Sequence, residues 1–167
     1  DIDCLDIGFL CIDMGFFDKA EFWLRKSLAL NPDNDDAAAG ICECYQEMGR
    51  YEETIDIYNT LIDKDPYSSD YWLGLAKSYF YLGQADKAIE ACDFAIVADE
   101  KIGEVHTIRA HAFYQLENYE ESIEAYKESW RLGNLEAEFA TAFIALCYIN
   151  MDDWDNAYEY YKQTIAR

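Results

Sequence analysis

The chain has 167 residues, with 34 acidic against 13 basic side chains, and its net charge of −21 repels nucleic acid and anionic membrane surfaces. Half of it is hydrophobic by a broad count, enough to bury a core, yet its longest apolar run falls far short of the roughly 18 residues needed to span a bilayer. No signal peptide opens it, and six cysteines without a C-x-x-C pair make no disulfide framework, which points to a reducing, cytoplasmic setting.

Apolar residues recur at helical spacing and predict ten helices in five pairs. The pairs are expected at 2–14 and 18–30, 35–48 and 52–64, 69–82 and 86–98, 103–116 and 120–132, and 137–151 and 155–166. In the third pair Trp72, Leu75, Ala76 and Tyr79 follow the i, i+3, i+4, i+7 rule, as do Ala88, Ile89, Cys92, Ala95 and Ile96 on the next helix. Gly49 ends its helix where a positive φ is needed, and Pro66 stands just past the end of the following one. No run alternates with a strand period, so no sheet is expected. Short loops make neighbouring helices antiparallel.

The pairs repeat with a fixed period. Gly15-Phe16-Phe17-Asp18-Lys19-Ala20 returns as Gly49-Arg50-Tyr51-Glu52-Glu53-Thr54 and as Gly83-Gln84-Ala85-Asp86-Lys87-Ala88, each copy 34 residues after the last. Pro32 and Pro66 keep the same beat. Such a period means stacked supersecondary units and not one globular core. A single array over 1–167 is expected, with repeats at about 1–34, 35–68, 69–102, 103–137 and 138–167.

These residues resemble the tetratricopeptide repeat, whose signature runs W-x₂-L-G-x₂-Y, then A-x₃-F, then P. The third unit carries Trp72, Leu75, Ala76 and Tyr79, then Ala88, Cys92 and Ala95. The second carries Ala38, Ile41, Cys42 and Tyr45, then Thr54, Tyr58, Leu61 and Pro66. The resemblance implies an all-α, right-handed superhelical solenoid. Small residues (Gly8, Ala76, Ala110, Ala145) let the first helix of each pair approach the second, and Tyr45, Tyr79 and Tyr148 fill the remaining gap. The fourth unit departs most, with Arg109 where a core Leu belongs and Glu117 where the turn Gly belongs. Arg109 is read as a snorkelling side chain, the alternative being a partner for a ligand carboxylate.

Catalytic and nucleotide motifs are absent: no phosphate-binding glycine loop, no dinucleotide fingerprint, no H-E-x-x-H and no calcium loop. His106 and His111 lie five apart on one helix, a poor spacing for joint metal ligation, so His106 is read as a core or rim residue. Acidic clusters at 33–36 and 152–155 fall at turns and helix starts, where they cap and complement helix dipoles. No catalytic residue, cofactor or metal is expected.

The resemblance places binding on a concave wall lined by the first helix of each pair. Transferred to this chain, that wall comprises Ile2, Phe9 and Ile12; Glu43; Leu73, Lys77, Phe80 and Tyr81; Ile108, His111 and Tyr114; and Phe139, Phe143 and Leu146. Leu5, Phe9 and Glu43 stand where the family's carboxylate-clamping members use basic and amide residues, and Lys77 is nearly alone, so no such clamp is expected. The expected function is a non-enzymatic scaffold that docks a protein or peptide with apolar anchors and basic residues, and binds neither nucleic acid nor membrane. The alternatives are self-association, or a docking domain of a larger protein whose catalytic part lies elsewhere. Replacing Phe80, Tyr114 and Phe143 by Ala is expected to abolish docking with little loss of helicity. The chain starts at Asp1 without Met, and Tyr160, Tyr161 and Ile165 lack a following unit to cover them, so a trimmed or excised fragment, or weak self-association through uncapped ends, is expected.

Overall fold

The computed structural model describes the backbone from Ile2 to Ala166 and side chains from Asp3 to Ala166, so the side chain of Ile2 lies outside the described residues. Among the described residues there are ten helices and no strand: α1 (Ile2–Asp13), α2 (Phe17–Leu30), α3 (Asp35–Glu47), α4 (Glu52–Lys64), α5 (Ser69–Tyr81), α6 (Ala85–Ala98), α7 (Gly103–Gln115), α8 (Tyr119–Arg131), α9 (Ala137–Asn150) and α10 (Trp154–Ile165). Every end falls within one residue of the boundary expected from periodicity and turn chemistry.

Two kinds of turn alternate. After α1, α3, α5, α7 and α9 the chain closes with a 6→1 bond, as in Arg50 N to Tyr45 O (2.8 Å) and Gln84 N to Tyr79 O (2.9 Å), around a residue in the left-handed region. That residue is Gly15, Gly49 or Gly83 in the first three, but Glu117 (φ 60°) and Asp152 (φ 57°) in the last two. After α2, α4 and α6 the chain turns extended at Asn31, Asp65 and Asp99, whose side chains accept from the backbone N–H two residues on at 3.2, 3.2 and 2.9 Å. Asn34, Ser68 and Asp153 cap α3, α5 and α10 by accepting from Ala37 N, Tyr71 N and Asn156 N. The end of α8 breaks this alternation, closing at Gly133 with Asn134 N bonded to Ser129 O (3.0 Å), at the place where the extra residue of the fifth unit enters.

Each helix packs on the next, and α1, α3, α5 and α7 also line up against one another. Odd-numbered helices therefore crowd on one side, and the array curves with them inside. The core runs along the stack through Leu24, Tyr45, Leu61, Ala76, Cys92, Val105, Tyr126 and Ile144. Glycine permits the close approach of α5 to α4 and of α1 to α2. A Cβ on Gly74 would stand 2.3 Å from Tyr58 Cζ, and one on Gly8 would stand 2.6 Å from Leu24 Cδ2. The six cysteines are free, and burial pushes the Cys42 and Cys92 thiols up to about 12, so these two act as small apolar core residues. Among the described residues no helix is long and apolar enough to cross a membrane.

Candidate functional site

The inner side of the curve has two parts of different chemistry. The first lies between α3, α5 and α7. A cleft of about 450 Å³ opens between α3 and α5, bordered by Asp36, Glu43, Glu47, Asp70 and Lys77. It adjoins a second of about 330 Å³, bordered by Glu47, Tyr51, Lys77, Tyr81 and Glu104. Gln46 pins the floor, its Nε2 donating to Gly74 O at 2.8 Å and to Ser78 Oγ at 3.0 Å. Lys77 reaches across to Glu104 in an ion pair. Partial burial and the carboxylates of Glu47 and Asp13 hold the Glu43 carboxyl above its ordinary range, against the opposing field of Lys77. Tyr51 and Tyr81 stack at 4.8 Å on the edge of this acid-lined stretch.

The second part lies between α5, α7, α8 and α9 and is built of rings. The His111 imidazole stands 5.9 Å from Phe80, 5.3 Å from Tyr126 and 5.2 Å from Phe143, measured between centroids. Tyr126 stacks on Phe143 at 5.0 Å, and its Oη lies 2.6 Å from His111 Nδ1. Burial lowers the His111 pKa from its ordinary 6.5. Tyr114 Oη accepts from Asn150 Nδ2 at 3.1 Å, which ties α7 to α9. Outside this cluster Phe139 and Leu146 project from one face of α9, 54% and 45% exposed.

The residues expected on the wall thus divide. Glu43, Tyr81, Phe139 and Leu146 are exposed, and Lys77, Phe80, His111, Tyr114 and Phe143 are half-buried. Phe9 and Ile12 are also half-buried, in the cluster that joins α1 to α2 and α3. Leu73 and Ile108 are buried in the core between α3 and α7 and present almost no surface. The truncation test at Phe80, Tyr114 and Phe143 needs revision on the same ground. All three pack against core clusters, so their loss would weaken the fold along with any docking. Arg109 donates from Nε to Asp93 Oδ1 at 2.8 Å and lies over the Phe113 ring, so its partner is within the chain. His106 is buried, with Nε2 3.1 Å from Glu100 O. The acidic clusters serve turns, as Asp153 capping α10 shows, and no metal-holding group of residues occurs among the described residues.

Sequence reasoning gave Tyr58 only a place in the repeat signature. It missed that the Tyr126 hydroxyl reaches the inner wall and that Gly74 sets the cleft floor. A glycine inside a helix costs roughly 0.5–1 kcal/mol relative to Ala, so Gly74 at mid-helix was itself the signal of a close approach.

Comparison with known proteins agrees with this architecture. A family model described as anaphase-promoting complex, cyclosome, subunit 3 matches residues 13–95, and two tetratricopeptide-repeat models match 73–137 and 140–167. Small glutamine-rich tetratricopeptide repeat-containing protein 2 of Mycosarcoma maydis is 31% identical over 78 residues, covering 47% of this chain and 22% of that protein. RNA polymerase II-associated protein 3 of Homo sapiens is 30% identical over 95 residues, covering 56% of this chain and 14% of that protein. The chain spans less than a quarter of the length of these curated relatives. Among solved structures, MamA superposes with a TM-score of 0.88 at 21% identity, covering 99% of this chain and 90% of that one. The thermophilic protein TTC0263 of Thermus thermophilus superposes with a TM-score of 0.74 at 17% identity, covering 98% and 89%. The structural neighbours share the fold, and with tetratricopeptide-repeat models matching residues 73–137 and 140–167 the chain is a tetratricopeptide-repeat protein.

Proposed function

We propose that the chain is a non-enzymatic protein-interaction scaffold, one array with repeats at about 1–34, 35–68, 69–102, 103–137 and 138–167, that docks a partner segment along its inner wall. The observation that carries this reading is the pairing of an acid-lined cleft with exposed apolar side chains on one wall: Glu43, Glu47, Asp70 and Glu104, edged by Tyr81, on one stretch, Phe139 and Leu146 on the other. Exposed apolar patches rimmed by polar residues mark interaction sites. The segment that complements this wall is a peptide with apolar anchors and basic residues, not a nucleic acid or a lipid surface. Lys77, the one cation bordering either cleft among the described residues, is already engaged by Glu104, so neither cleft offers a free positive charge to hold a carboxylate. Six free cysteines, four of them buried, are consistent with a reducing, cytoplasmic setting.

The test uses a short labelled peptide of alternating leucine and arginine, with its glutamate counterpart as control. The arginine peptide is expected to bind in a salt-sensitive way. Binding is expected to fall at least tenfold when Phe139 and Leu146 are changed to Ser, and again when Glu43 and Asp70 are changed to Gln and Asn. Equal binding of both peptides, or binding indifferent to both pairs of changes, refutes the reading.

A second reading is self-association. Trp154, Tyr158, Tyr161 and Ile165 are all exposed and, spaced four, three and four apart, form one apolar stripe on α10. A mass in light scattering that stays monomeric at rising concentration eliminates it.

A further inference from the structure

His111 joins four helices of the array. It projects from α7 and meets a ring from α5 (Phe80), one from α8 (Tyr126) and one from α9 (Phe143), and the Tyr126 hydroxyl is bonded to its Nδ1. Sequence reading singled it out for its place on the binding face, and the docking reading leaves its imidazole without a role.

We propose that His111 is a proton-sensitive pin of the inner wall: its neutral imidazole locks α7 to α5, α8 and α9 through Phe80, Tyr126 and Phe143, and its protonation loosens this joint and withdraws the aromatic docking surface. The consequence for docking rests on the scaffold reading above; the pin itself does not.

The surroundings of the ring carry the inference. Among the described residues its hydrogen bond and ring contacts are all to neutral groups. From α5 it meets Phe80, from α9 Phe143, and from α8 Tyr126, whose phenol burial pushes up so that it stays neutral across the physiological range. Cys147 of α9 bonds Ser122 beside Tyr126, and burial raises its thiol as well. Tyr114, on α7 itself, is bonded to Asn150 of α9. On these helices Lys77 pairs with Glu104, Arg109 with Asp93, Lys127 with Glu124 and Arg131 with Glu128. Glu138 stands in the first turn of α9, more than a turn from Phe143. An imidazolium formed here would lose water and gain no carboxylate. Ring faces offer a cation about 0.5–2 kcal/mol, and the diffuse field of the acidic chain is screened beyond about 8 Å at physiological ionic strength. Burial wins, and it lowers the His111 pKa.

The sign follows from linkage. Below the unfolded value near 6.5 the unfolded chain binds a proton that the folded chain resists. Stability is therefore complete above 6.5, declines as pH falls from there to the lowered folded value, and levels off below it.

The chain has only two histidines, which makes the test clean. Urea unfolding of the full chain is followed between about pH 8 and about pH 5, where histidine changes charge. The His111→Gln change removes the pin, and His106→Gln serves as the control. The unfolding constant of the unmodified chain and of His106→Gln is expected to rise severalfold more on acidification than that of His111→Gln. In the unmodified chain the His111 ring protons are expected to titrate below 6.5 by NMR, which decides the matter even if His111→Gln fails to fold. Parallel stability curves, or titration at or above 6.5, overturn the proposal. A pin that titrates as expected while the leucine–arginine peptide binds equally at both pH extremes overturns the withdrawal of the docking surface, whereas a peptide that fails to bind at either pH overturns the docking reading and leaves the pin standing.

Discussion

The two parts of the inner wall are held by different forces. In the acid-lined part α5 meets α4 through a missing side chain, Gly74 against Tyr58, and meets α3 through a hydrogen-bonding hook, Gln46 crossing to Gly74 O and Ser78 Oγ. Between α7 and α9 the helices meet through stacked and edge-on rings centred on His111, Tyr126 and Phe143. The turns differ in step. Glycines at 49 and 83 make the left-handed residue cheap in the acid-lined part, whereas Glu117 and Asp152 occupy it in the ring-built part. A repeat fold thus lets neighbouring units solve the same packing problem with different chemistry.

The sharpest way to break this contrast is to remove its largest buried ring. Tyr126→Ala should cost about 3–5 kcal/mol. Hydrogen exchange should show α7 to α9 opening first while α3 to α5 stay protected. Uniform loss of protection along the chain would mean that the two parts are one cooperative unit. Gly74→Val is the counterpart in the acid-lined part. Its added carbons must displace the Tyr58 ring, at a cost of about 1–3 kcal/mol, with exchange rising between α3 and α5. A smaller change sharpens the comparison of turns. Glu117→Gly should raise stability in urea by about 1 kcal/mol because glycine adopts this φ without strain. Asp152→Gly should gain less, since Asp tolerates the left-handed region better than Glu. Equal gains would remove strain as the distinction between these turns.

Much of the fold was legible along the chain. The 34-residue beat of the Gly15, Gly49 and Gly83 turns, with apolar residues at helical spacing, located ten helices to within a residue. Those are local signals, read within one turn or one helix. Asn31, Asp65 and Asp99 share the same beat and make their own turns, a signal present in the sequence and passed over. The wall was harder. Leu73 and Ile108 share the inner stripe with exposed neighbours, but how far each side chain sinks between adjacent helices depends on superhelical offset, which no single helix encodes.

By itself the sequence determined that the chain is helical, where each helix starts and stops, and that the units repeat, because backbone conformation and amphipathic period are properties of short segments. Only the tertiary structure decided that Tyr126 reaches through the stack to His111, that Lys77 is spent on Glu104 and Arg109 on Asp93, and that the inner wall divides into an acid-lined and a ring-built part. Each of those depends on the distance between side chains on different helices, and that distance is set by how closely the units stack.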